Sequence, residues 1–80
     1  MATFMLEHSH LPEECPAAFA AWKGFESSLR GQSTLSSCRA GGHRIWWEVD
    51  ASSEADALSR LPAFVAQRTV VSRVNRVEIP

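Results

Sequence analysis

Eighty residues with a net charge of -1, 45% apolar and 21% charged side chains describe one soluble domain, small enough to bury only about 60% of the surface its unfolded chain exposes. The charge balance supplies no basic field for a phosphate backbone, so nucleic acid is not an expected partner, and no apolar run approaches the roughly 20 residues of a membrane span. Met1 to Leu6 lead straight into a charged, histidine-bearing stretch without the features of a secretory signal, which predicts a cytoplasmic protein whose two cysteines are thiols rather than a structural disulfide.

Thr3 to Ser9 alternates, Phe4, Leu6 and His8 on one side and Met5, Glu7 and Ser9 on the other, the period of a first strand. Pro12 and Pro16 follow, and Pro16 suits the first position of a helix, where its missing N–H would be unpaired anyway. The helix is expected from about Pro16 to Leu29, burying Ala18, Trp22, Phe25 and Leu29 and leaving Lys23 and Glu26 to water, with Gly31 as its stop. Thr34 to Arg39 forms a serine-rich edge strand, turned by Ala40-Gly41-Gly42 into the strongest strand, His43 to Val49. That strand sets His43, Ile45, Trp47 and Val49 on one face and Arg44, Trp46 and Glu48 on the other. Ser53 with Asp56 forms a capping-box-like start for a second helix carrying Ala57, Leu58 and Leu61, and Pro62 ends it or starts another turn. Arg68 to Ile79, rich in valine, closes the chain as a last strand.

A β-α-β-β-α-β order in a single domain spanning residues 1–80 gives an α+β fold, a ferredoxin-like sandwich with antiparallel strand order 4-1-3-2 and both helices on one sheet face. The other face keeps Met5, Trp46 and part of the last strand's valines, an apolar surface that a second copy would cover.

Ala40-Gly41-Gly42-His43 before the aromatic strand, and Leu61-Pro62-Ala63-Phe64 before the last one, resemble the dimeric α+β barrel proteins, most closely their muconolactone isomerase-like branch. The resemblance covers about the C-terminal half. It implies sheet-to-sheet pairing into a homodimer or higher homo-oligomer, a small organic molecule as ligand, and His43 as a catalytic residue. The superfamily includes isomerases, cofactor-free monooxygenases, polyketide cyclases and proteins without known activity, so it implies a fold more sharply than a reaction.

Two groups of residues carry candidate chemistry. In the expected path His8, His10 and Cys15 lie at one end of the sheet, where Cys38 ends the second strand and His43 begins the third. Imidazole and thiolate suit Zn, Cu or Ni. On the face opposite Phe4 and Leu6, Glu7, Arg44, Trp46 and Glu48, joined by Arg73 or Arg76, would line a barrel cavity. A glutamate there could act as a general base beside a carbonyl, or the same charges could simply pair across strands. The first expectation is therefore a small-molecule-binding barrel, isomerase- or cyclase-like, with His43, Glu48 and Glu7 catalytic, Trp46 and Arg44 on the substrate and no organic cofactor. The alternatives are a non-catalytic transition-metal protein using His8, His10, Cys15, Cys38 and His43, and a structural accessory subunit.

Overall fold

The computed structural model describes residues 1–80. Strand β1 (Ala2–Ser9) leads through a 3-10 turn at Pro12–Glu14 into helix α1 (Cys15–Ala20), then to a two-residue strand β2 (Leu35–Ser36) and strand β3 (Arg44–Ala51). Helices α2 (Glu54–Leu58) and α3 (Ala63–Ala66) precede strand β4 (Thr69–Val74). The four strands form one antiparallel sheet in the order β2-β3-β1-β4. That is the expected order read from the other edge, and it is compatible with a ferredoxin-like arrangement.

The alternation along β1 and β3 determines the core. Phe4 and Leu6 stand on one face of β1, Ile45, Trp47 and Val49 on the same face of β3, and all are buried against Ala57, Leu61 and Val65 of the α2–α3 region. Ser53 caps α2 as its spacing predicts, its hydroxyl accepting from the Asp56 amide at 3.1 Å. The Asp56 carboxylate returns to the Ser52 amide at 3.0 Å rather than to that of Ser53, so the box closes one residue early. Pro62 starts another helical turn, as the N-cap of α3.

Three expected elements are shorter than the pattern suggests. The helix expected to Leu29 stops at Ala20; three-residue turns then carry the chain to Gly24, whose φ of 73° is left-handed and ends any helical path. Beyond it the Ser27 hydroxyl donates to the Arg60 carbonyl at 2.7 Å, tethering this stretch to the α2 side. Trp22, Phe25 and Leu29 still reach half-buried positions, but from turns. The second strand covers Leu35–Ser36 only, because Cys38–Ala40 coils into a 3-10 turn. The last strand ends at Val74, leaving Val77 and Ile79 exposed.

The opposite face of the sheet has no cover. One rung across it reads Leu35, Trp46, Glu7, Val70, and Leu35 and Val70 are 75% and 65% exposed. No helix is long and apolar enough to cross a membrane.

Candidate metal centre

The odd-even alternation of β1 that buries Phe4 and Leu6 also turns His8 inward, and continuing it one step past the strand turns His10 the same way. His8 is fully buried and His10 nearly so. The His10 amide donates to the His43 carbonyl at 3.1 Å, which pins the end of β1 to the residue before β3.

Cys15 is delivered by the turn that follows. Pro12 opens it, the Glu14 carboxylate accepts from the Leu11 amide at 2.9 Å, and its other oxygen takes the Arg68 guanidinium at 3.0 Å. Arg68 in turn lies over the Phe64 ring, 3.7 Å from its centroid. The Leu11 amide, foremost, and then Arg68 hold the Glu14 carboxyl below the usual carboxylate range.

Cys38 and His43 flank one tight turn. The Gly42 amide donates to the Ser37 carbonyl at 2.8 Å and the Gly41 amide to that of Cys38 at 3.1 Å. Gly41 has a φ of 86°, and a Cβ on Gly42 would collide with the Ser37 side chain, so both positions require glycine. His43 itself takes a left-handed φ of 52°, uncommon for a residue with a side chain. This strained residue is why β3 begins at Arg44 rather than at His43.

These three segments bring together His10, Cys15, Cys38 and His43, with one ligand atom from each lying within 4.8 Å of all the others. A tetrahedral zinc site has ligand atoms about 3.3–3.8 Å apart, given bonds of about 2.0–2.3 Å. A contraction of about 1 Å would therefore close the group on an ion. Both cysteines are free thiols and partly exposed. Burial, followed by the neighbouring Cys38, raises the Cys15 thiol above its ordinary value. The Nδ1 of His43 is buried and has no hydrogen-bond partner.

His8, expected among the ligands, stands behind them. Its Nδ1 lies 3.2 Å from the Val65 carbonyl, which can only accept, so Nδ1 carries the proton. Its Nε2 lies 2.9 Å from His10 Nδ1, and in neutral His8 this Nε2 must accept. His10 therefore donates from Nδ1 and keeps a lone pair on Nε2, the atom that lies 3.6 Å from the Cys38 sulfur. Burial lowers the basicity of both rings. His10 opposes protonation of His8, His43 opposes that of His10, and Glu14 partly offsets the effect on His10.

The second expected group lies on the open sheet face. Glu7 accepts from Trp46 Nε1 at 2.9 Å and pairs with Arg44 at 3.3 Å. Glu48 is held by Arg76, whose Nη2 lies 3.0 and 3.1 Å from its two oxygens. Two hollows of about 470 and 450 Å³ flank Met5 and Glu48 on this face. His43 and Glu48 are not brought together: they lie five residues apart along the chain, about 16 Å in an extended strand.

No family model matches the chain, and neither a curated protein nor a solved structure does. The supporting parts of the centre, Val65 behind His8 and Arg68 behind Glu14, carried no signal in the sequence, since each acts through a contact more than 50 residues away.

Proposed function

We propose that this protein binds a transition-metal ion, zinc before copper or nickel, through His10, Cys15, Cys38 and His43. The supporting observation is the gathering of these four ligand atoms within 4.8 Å of one another, from three separate segments of an 80-residue chain. Two thiolates and two imidazoles are the donor set of closed, structural zinc sites. The ion would tie the end of β1, the start of α1 and the turn before β3 together, where the backbone supplies few regular hydrogen bonds. Four protein ligands leave no open position for a substrate, so the role is structural or metal-responsive rather than catalytic. The ligands must lose two thiol protons, so binding releases protons.

The test is native mass spectrometry of untagged protein after purification without chelator. One zinc mass per chain, lost in a Cys15→Ser/Cys38→Ser variant that keeps its far-UV spectrum, is the expected result. Metal-free protein that also fails to take up added zinc would end the proposal.

A second copy on the open face is the companion reading. It is favoured by the rung of Leu35, Trp46 and Val70, apolar groups that association would remove from water. The hollows beside Glu48 would then be enclosed between two sheets, the setting that the isomerase- or cyclase-like expectation requires. Glu7 and Glu48 are already engaged by Arg44, Trp46 and Arg76, which favours cross-strand pairing over proton abstraction as their role.

A further inference from the structure

On the helical side of the sheet, next to the histidine end, lies a hollow of about 380 Å³. It lies where the chain leaves the helical path after Ala20: residues 21 to 34 form no helix, and Trp22 and Leu29 reach the core from turns. Ile45 and Trp47, both buried, form its floor; Trp22 stands against Trp47 with ring centroids 5.8 Å apart, and Phe19 and Leu29 form the lip. Phe19 is 53% exposed, an aromatic ring left in water at the mouth.

Only one charged residue lines the hollow, Arg30. Arg30, like Arg39 and Arg73, has no carboxylate partner, and its guanidinium is bonded only to the Phe25 carbonyl, at 3.2 Å; of the three it alone lines the hollow. Its remaining N–H donors are free to hold an anion in a bidentate fork. An aromatic-walled basin with a single cationic residue in its lining, of a volume within the range of small-molecule sites, points to its ligand by chemistry.

We propose that this hollow binds a small planar aromatic carboxylate, its ring over the Trp22–Trp47 pair with Phe19 at the mouth, and its carboxylate on Arg30. The hollow adjoins the proposed metal centre, Phe19 lying 6.5 Å from the His10 ring and Trp47 6.5 Å from that of His8, but none of the four proposed ligands lines it.

The three tryptophans make the test internally controlled, because Trp22 and Trp47 line the hollow while Trp46 points to the opposite sheet face. In ¹H–¹⁵N spectra, 2-naphthoate should shift the Trp22 and Trp47 indole signals saturably and leave that of Trp46 in place. Arg30→Gln, a change at an exposed side chain, should weaken 2-naphthoate by about tenfold or more through loss of the charge-assisted bonds, yet leave uncharged 2-naphthol unaffected. Leu29→Trp, which fills the hollow, should remove binding of both probes. Absence of any saturable shift at millimolar probe, a Trp46 shift equal to the others, or undiminished affinity in Arg30→Gln would overturn the assignment.

Discussion

His8 Nε2 and His10 Nδ1 lie 2.9 Å apart in the buried end of the sheet, and the carbonyl behind His8 sets the direction of the proton between them. Two residues of separation on one strand place both rings on the same side, and Val65 then determines which nitrogen of His10 is free. An outer hydrogen bond of this kind orients a metal-binding imidazole and raises its basicity. His8→Gln should therefore weaken zinc binding about 10–100-fold without removing a ligand. A competition titration against a chromophoric chelator measures it, and unchanged affinity would reduce His8 to a core residue.

Zinc should stabilise the protein by mass action. At free zinc a hundredfold above its dissociation constant the gain is about 2.7 kcal/mol, equivalent to a Tm rise of about 10–20 °C for a domain of this size. Calorimetry with and without zinc gives the shift, and Cys38→Ser should abolish most of it.

The metal-free protein should lose stability as pH falls through the ordinary histidine value of 6.5. Burial lowers the folded-state pKa of His8 and His10, so between that lowered value and 6.5 the unfolded chain binds protons that the folded one does not. Stability is then full above 6.5 and declines below it. Urea titrations of the apo protein at a series of pH values should show this, and the His8→Gln variant should show a shallower decline. A flat profile between neutral and mildly acid pH would contradict it.

The open sheet face gives a prediction about assembly. Leu35 and Val70 contribute almost nothing to the monomer's own core, at 75% and 65% exposure. Leu35→Glu and Val70→Glu should leave the fold intact and convert a dimer to monomer in sedimentation velocity. A wild-type protein that sediments as a monomer at high concentration would remove this reading.

The cap of α2 offers a purely structural check. Ser53→Ala removes the hydroxyl that accepts from the Asp56 amide and should cost about 1 kcal/mol of stability, read from the urea midpoint, with zinc affinity unchanged.

What the sequence by itself determined was local and periodic. Alternation in Thr3 to Ser9 and His43 to Val49 located two strands and their buried faces, Ser53 and Asp56 marked a helix start, and Gly41-Gly42 marked a turn. The resulting strand order was enough to bring His8, His10, Cys15, Cys38 and His43 to one end of the sheet, though not to tell His8 from the other four. Tertiary structure alone decided the rest, because each remaining point depended on a partner distant in the chain. The Val65 carbonyl engaged His8 Nδ1 and set its Nε2 on His10, and Arg44, Trp46 and Arg76 took up the glutamates of the open face. Gly24's left-handed backbone and the Ser27–Arg60 tether ended a helix that the spacing of Trp22, Phe25 and Leu29 would have continued. Periodicity records which side chains are to be buried; it does not record whether the backbone beneath them is a helix or a series of turns, and the hollow beside Arg30 is lined from those turns.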